Sequence, residues 1–493
     1  MAQISIQNLT FAYEGGYDNI FDNVTMTLDT CWRLGLTGRN GRGKTTLLRL
    51  LMGEIKGQGG LLMPLQPVYF PFPVAEPSEL TLYVMQEMGG DAPEWKMRRE
   101  LNLLKVKEDV LDRPFGTLSN GERTKVQLAA LFAREDVYPL IDEPTNHLDL
   151  QGRTAVADYL RTKDGFLLVS HDRAFLNRCI DHVLSLNKEG IAVVKGDYDS
   201  FEKEWERQNR HELDENERLK KDIRRLTESA RRSARWSESI EKGKHHIAGD
   251  QSYDKGYIGA RSADMMKRAL AAQRRQERAA KEKEKLLKNV ETVGNLKLSS
   301  LQHPKQMLVN VRDGSIRYGE KLLCENLSFS VARGERVALT GANGTGKSSI
   351  LKSLCGLSQA LAGNIALASG LTVSYVPQST EKLAGELGDF IALHQLEETL
   401  FKAILRNLDF GRQQFDKKLE DFSQGQKKKI LLARSLCESA HLYLWDEPLN
   451  YMDILSRGQV ERLILEFKPT ILLVEHDGAF LEKICTKVVQ MEK

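Results

Sequence analysis

The sequence predicts an α/β protein in which one domain occurs twice, the two copies joined by a long antiparallel α-helical hairpin. Three observations carry that prediction. The pattern GxxxxGK[ST] occurs as Gly38-Arg39-Asn40-Gly41-Arg42-Gly43-Lys44-Thr45 and again as Gly341-Ala342-Asn343-Gly344-Thr345-Gly346-Lys347-Ser348. Other landmarks repeat at a steady offset: Lys44 to Lys347 is 303 residues, Ser119 to Ser423 and Glu143 to Glu447 are 304, and Tyr13 to Tyr318 and His171 to His476 are 305. Such constancy marks duplication of a whole domain. Between the copies, residues 201–242 contain neither Gly nor Pro and are rich in helix formers.

Within each copy apolar runs alternate with helical patterns, the signature of parallel strands with crossover helices. In the first copy residues 31–37 read as a strand feeding the glycine loop, and 45–52 as the helix that follows it. Residues 137–141 and 166–169 read as buried parallel strands, because they are continuously apolar rather than alternating. The domain boundaries read as 1–200 for the first copy, 201–300 for the hairpin and 301–493 for the second copy.

The hairpin carries the basic charge of the chain. Residues 201–290 hold 24 Lys/Arg against 17 Asp/Glu, a net of +7, although the whole chain is only +3. Its first helix reads as 201–242 and its second as 260–293, with a glycine-studded aromatic tip near 242–258. Residues 221–285 hold 18 basic and 10 acidic residues. A mixed-sign hairpin is ordinarily just a solvated face. Here the inner part is arginine-heavy, and the guanidinium fork suits phosphate and stacks on bases. The segment therefore reads as a nucleic-acid surface, with RNA the expected ligand. The candidate contacts are Arg231, Arg232, Arg235, Trp236, Lys242, Lys244, His245, His246, Tyr253, Tyr257, Arg261, Lys267 and Arg268. Trp236 packs the two helices together or touches RNA. The tip aromatics order the loop or stack on bases.

Composition bounds the rest. The chain has 493 residues, 41% hydrophobic and 28% charged, which fits a globular protein of two or three domains. No apolar run approaches the roughly 20 residues of a membrane-spanning helix, and the N-terminus lacks a signal pattern. The six cysteines show no metal spacing. The expectation is a cytoplasmic protein with reduced thiols and no membrane association.

The glycine loops point to nucleotide chemistry. Glycines at 38, 41 and 43, and at 341, 344 and 346, let backbone N–H groups close on phosphate, while Asn40 and Asn343 complete each loop. Lys44 and Lys347 supply positive charge, and Thr45 and Ser348 offer a hydroxyl to Mg²⁺. Thr46 and Ser349 follow at the helix start, where the dipole favours an anion. Downstream, VYPLIDEP and HLYLWDEP end apolar strands on Asp142-Glu143 and Asp446-Glu447. The first carboxylate of each pair suits Mg²⁺, and the second suits activating a water. A lone acidic pair is usually a turn; recurrence in register with the loop favours chemistry. His171 and His476, in SHD and EHD, follow a further apolar strand and are read as γ-phosphate contacts.

Two more segments carry a family resemblance. Leu118-Ser119-Asn120-Gly121-Glu122 and Phe422-Ser423-Gln424-Gly425-Gln426 each precede a helical pattern, and Ser and Gly at a helix start form an anion site. Lying between the loop and the acidic pair, they resemble the LSGGQ signature of ATP-binding cassette proteins. The resemblance implies two tandem cassettes in a head-to-tail intramolecular sandwich of a monomer, with ATP and Mg²⁺ as cofactors. Ser423 and Gly425 would then complete the site of Lys44, and Ser119 and Gly121 that of Lys347. Tyr13 and Tyr318 match the adenine-stacking aromatic of the family, the alternative being a strand-edge tyrosine. The metal-contacting glutamine of the family corresponds to Gln378 in the second copy, but Phe72 stands in its place in the first.

Two cassettes joined by a charged hairpin resemble the ABC-F group. DEPLNYMD, EHD and ARRSARWSE look most like its antibiotic-resistance branch, of the Lsa and Vga kind. Lysine-to-serine spacings of 75 and 76 residues leave no room for the arm insertion of the housekeeping branch, and no C-terminal extension is expected beyond the 17 residues after His476. The resemblance implies an ATPase that binds the tRNA exit site of the 70S ribosome. Its hairpin would touch 23S rRNA and peptidyl-site tRNA and protect the peptidyl transferase centre from pleuromutilins, lincosamides and streptogramin A compounds, with hydrolysis releasing the protein. The alternatives are a translation factor for stalled ribosomes and the ATPase component of a transporter.

Overall fold

The computed structural model describes residues 2–13, 19–146, 148–187, 190–247, 267, 271–272, 274–275, 278–279, 298, 300–318, 321–381, 383–411 and 414–491. The side chains of Ala230, residues 233–247, Tyr318 and Lys321 lie outside that description. The chain forms two compact units, one of residues Met1–Phe201 with Val293–Lys493 and one of Glu202–Thr292.

In the first half of the larger unit a six-stranded sheet runs in the order Gln66–Phe70, Val137–Asp142, Phe166–Val169, Arg33–Gly38, His182–Asn187, Gly190–Lys195. All neighbours are parallel except the last pair. The second half repeats the plan with five parallel strands: Val373–Val376, Leu442–Asp446, Ile471–Val474, Arg336–Gly341 and Lys487–Met491. The FLLV and ILLV strands are buried at every position, as a parallel sheet covered on both faces requires. Each half adds a three-stranded antiparallel sheet, centred on Gln3–Phe11 and on Met307–Tyr318. Leu34, Leu36, Leu140, Leu167 and Leu184 anchor the first core, and Val337, Leu339, Leu444 and Leu472 a second-half core.

Register fixes where chemistry can occur. Leu36 pairs with Val169, and Asp142 also pairs with Val169. The glycine loop, the acidic pair and His171 therefore leave neighbouring strands at the same carboxyl edge, where open α/β sheets place ligands. The second half matches, with Leu339 and Asp446 both paired to Val474.

The smaller unit contains most of a 50-residue helix, Tyr198–Ile247, about 75 Å long at ~1.5 Å per residue. It continues five residues past the helix end read from the sequence and takes in the first part of the expected tip. An isolated glycine such as Gly243 costs a helix only ~1 kcal/mol. The described residues between 267 and 279 are also helical. Before Met307, Leu298 is buried in a second-half core and Ser300 bridges to Ala440.

Candidate active sites

Each glycine loop enters its helix through a left-handed glycine. Gly43 has φ 91° and caps Lys44–Met52; Gly346 has φ 94° and caps Lys347–Leu354. A Cβ at Gly43 would lie 2.5 Å from Ile20 Cγ2, and one at Gly346 would lie 2.9 Å from Ile316 Cγ2. Both positive φ and close packing therefore demand glycine. Lys44 Nζ donates to Gly38 O at 2.7 Å, to Arg39 O at 3.2 Å and to Asn40 Oδ1 at 3.3 Å. Lys347 Nζ donates to Gly341 O and Ala342 O, both at 2.8 Å. Burial lowers the pKa of both ammonium groups.

The acidic pairs sit at the strand ends. Glu143 has φ 49° and Glu447 φ 47°, a left-handed backbone that glutamate rarely adopts. Each is held there by a hydrogen bond from its own N–H, to Val169 O and to Val474 O, both 2.9 Å. Glu143 Oε1 lies 3.4 Å from His171 Nε2, and Glu447 Oε1 lies 3.6 Å from His476 Nε2.

The two sites differ in detail. Burial, reinforced by the neighbouring Asp142 carboxylate, pushes Glu143 up to about 8. Glu447 is also buried, but His476 and the Gln378 amide outweigh burial and hold it below the ordinary carboxylate range. Phe72 cannot supply that amide. Its backbone is clamped by Gln127 (N–H to Oε1 3.2 Å, Nε2 to O 3.3 Å), and its ring lies 5.5 Å from the Arg134 guanidinium. Tyr69 donates to Asp142 Oδ2 at 2.9 Å, whereas its counterpart Tyr375 has a buried hydroxyl with no hydrogen-bond partner among the described residues.

Mg²⁺ fits the second site well. Ser348 donates to Asp446 Oδ1 at 3.0 Å, and Asp446 Oδ2 is buried with no hydrogen-bond partner among the described residues. A hard cation with few protein ligands suits such an oxygen pair, and burial raises Asp446 to about 6. In the first site Thr45 is exposed and Asp142 faces Tyr69.

The signature serines cap their helices. Ser119 and Ser423 each form a capping box, with Glu122 and with Gln426. The second signature lies against the first loop. Asn40 Nδ2 donates to Tyr451 O at 3.0 Å, and a Cβ on Gly425 would stand 3.0 Å from Asn40 Nδ2. Arg39 pairs with Asp409 at 3.0 Å, and Arg153 Nη1 donates to His476 O at 3.3 Å. The halves thus meet head to tail, with Gly425 beside the loop of Lys44. At the other site, the charge of Asp149 acts on Lys347.

Tyr13 is half exposed, its hydroxyl 3.2 Å from Thr46 Oγ1 and its ring edge-on to Phe11 at 5.0 Å. Tyr318 ends its strand. A groove of about 900 Å³ beside the second loop is lined by Leu322, Cys324, Asn343, Gly344 and Gln490 among others. Arg231, Arg232 and Lys267 are exposed on helix. Arg235, Trp236, Lys242, Lys244, His245 and His246 lie on the helix by backbone alone. Tyr253, Tyr257, Arg261 and Arg268 lie outside the described residues.

Sequence reasoning missed Tyr69, Asn450, Tyr451, Arg153 with Arg457, and two buried lysines, Lys428 and Lys429. Asn450 Nδ2 donates to Glu447 Oε2, and Lys429 Nζ meets Asp453 Oδ2 at 2.7 Å with both side chains buried. A usable signal existed for the lysines: two charges on the face of the helix Gln424–Cys437 that its apolar residues bury.

Comparison with known proteins agrees with this geometry. The model of the ABC transporter family matches residues 21–146 and 324–450. The chain is 28% identical over 490 residues to the ATP-binding protein Uup of Caulobacter vibrioides, covering 97% of this chain and 75% of that one. It is 28% identical over 482 residues to the ribosome protection protein VmlR of Bacillus subtilis, covering 96% and 84%. Among solved structures, the complex of archaeal ribosomal stalk protein aP1 with the archaeal ribosome recycling factor aABCE1 aligns with TM-score 0.62 at 20% identity, over 94% of this chain and 84% of that one. At that identity the likeness concerns the fold.

Proposed function

The chain belongs to the ABC transporter family of ATP-binding proteins, and from that premise we propose that it is an ABC-F ATPase that works on the ribosome. Its ATPase activity follows from the family. The observation that best supports the reading is the contact of Asn40 with Tyr451 and Gly425, which makes nucleotide binding at one half an event in the other. ATP between Lys44 and the Ser423 helix draws the halves together. Glu143 and Glu447, with His171 and His476, orient the attacking water and take its proton. Mg²⁺ would be held by Ser348 and Asp446, and by Thr45 and Asp142, and would neutralise charge on the phosphates.

The basic hairpin is the RNA-facing part in this reading, with Arg231 and Arg232 exposed on it. One relative is named a ribosome protection protein, which supports action on the ribosome; the finer proposal, carried by the sequence motifs, is action at the exit site against peptidyl-transferase drugs in the manner of the Lsa and Vga branch. The cytoplasm is the compartment this requires. Among the described residues no helix is long and apolar enough to cross a membrane.

The test is sedimentation of the Glu143→Gln/Glu447→Gln double variant with ribosomes. It should co-sediment only with ATP, and less as salt rises, because phosphate contacts release counterions. Partition into membranes instead would favour a transporter ATPase. Susceptibility testing of expressing cells separates drug protection from a drug-independent translation factor: no resistance to any large-subunit antibiotic would sink protection.

A further inference from the structure

Lys428 is 1% exposed. A buried ammonium is costly unless its donors are satisfied. Lys428 Nζ donates to Pro377 O at 2.7 Å and to Asp446 O at 3.0 Å. These two carbonyls immediately precede Gln378 and Glu447, the amide and carboxylate that meet in the second site. The ammonium therefore grips the backbone beside both partners.

Lys428 rides on the helix Gln424–Cys437, whose first turn serves the opposite site. Gly425 there lies against Asn40 of the first loop. A helix moves as a rigid body on the scale of one turn, so a shift of its N-terminus by nucleotide at Lys44 carries Lys428 with it. Among the described residues the first half shows no such connection. Thr124 stands at the matching position and turns its hydroxyl back to Asn120 O at 2.9 Å. That helix reaches its loop through Gln127 and Phe72. Among its described residues none donates to Asp142 O.

We propose that Lys428 is a positioning residue that transmits ATP engagement at the first site to the water-activating carboxylate of the second, and that this transmission runs one way. The proposal rests on the ATPase reading. It makes the first site the one that licenses and the second the one that responds.

The test is a double-mutant cycle in full-length Glu143→Gln protein, where only the second site hydrolyses, read as single-turnover release of γ-labelled phosphate with Mg²⁺ present. Asn40→Ala should slow release about fivefold and Lys428→Met about tenfold. Together they should slow it no more than about tenfold. The ATP concentration for half-maximal rate should stay within about twofold in Lys428→Met, and Lys428→Arg, which keeps the donors, should recover most of the rate. In Glu447→Gln protein, Lys428→Met should leave first-site release within about twofold. Losses that multiply to about fiftyfold, an unchanged rate in Lys428→Met, or equal losses at both sites overturn the proposal. Should Lys428→Met not fold, Lys428→Gln carries the same cycle and the same expectations. If the ATPase reading itself were wrong, the parent Glu143→Gln protein would release no phosphate at all.

Discussion

Asn40 of the first glycine loop donates its side-chain amide to the carbonyl of Tyr451, 411 positions further on, at 3.0 Å. The phosphate-binding turn of one half is thereby continuous with the loop after the acidic pair of the other. Asn40 also accepts from Lys44 Nζ at 3.3 Å, so one side chain faces both the ammonium and the opposing half.

Asn40→Ala removes that connection. A net hydrogen bond is worth about 1 kcal/mol, so the ATP concentration that closes the halves should rise roughly fivefold. Titrating ATP against a fluorescence pair placed on the two halves measures it; an unchanged midpoint would show that Tyr451 O is no part of closure.

The two glutamates should respond differently to pH. Burial and Asp142 raise Glu143 to about 8, while Glu447 is held below the usual range. A raised carboxylate is protonated at neutral pH and ionises as pH climbs through 8. Single-turnover hydrolysis in Glu447→Gln protein should rise about fivefold from pH 7 to pH 8. In Glu143→Gln protein it should stay flat over that interval. The same shift predicts that nucleotide-free protein is most stable on the acid side of the window. Glu143 is raised in the fold, so its stabilising contribution is complete below the unfolded value and fades as pH passes through 8.

Phe72→Gln should restore an amide near Glu143. A hydrogen bond to a carboxylate is worth about 1.5–3 kcal/mol, so first-site hydrolysis in Glu447→Gln protein should speed up roughly tenfold to a hundredfold. The variant gives up the Phe72–Arg134 contact, worth about 0.5–1 kcal/mol, and should melt slightly earlier. No gain in rate would mean the clamped Phe72 backbone keeps the new side chain away.

Asp453→Ala and Asp149→Ala should differ in cost although they occupy matching positions. Asp453 is buried, caps Ser456 N and pairs with buried Lys429. Removing it strands the lysine, at about 3–5 kcal/mol. Asp149 caps Gly152 N at 2.8 Å, and its loss should cost about 1 kcal/mol. Urea denaturation of the two variants reads the difference; equal midpoints would contradict the buried pairing.

Much of this was legible beforehand because it depends on local chemistry. The loop-bearing strand expected at 31–37 lies at Arg33–Gly38, and the helix expected at 45–52 lies at Lys44–Met52. The strand Phe166–Val169 needed only its four apolar residues. Ser119 and Ser423, expected at helix starts, cap those helices. Of the contacts that join positions hundreds of residues apart, the family resemblance implies the placing of Gly425 at the loop of Lys44, and the rest have no signal in the sequence. Nothing local marks Tyr451, whose contribution is a backbone carbonyl, or Tyr69, whose partner is set by strand register. Lys428 and Lys429 carry a signal only in their place on the apolar face of the helix Gln424–Cys437, where the fold buries them. The helix runs past the end expected near 242 because Gly243 costs it only about 1 kcal/mol and does not break it.

The left-handed backbone of Glu143 and Glu447 has a consequence for how these sites are kept. Glutamate there costs about 1–3 kcal/mol that glycine or asparagine would largely avoid. Folding alone therefore pulls each position away from the acid. A copy relieved of the need to turn over ATP would gain stability by losing its glutamate in one substitution. Both halves nevertheless carry the acid at this left-handed position, so each bears the same backbone cost.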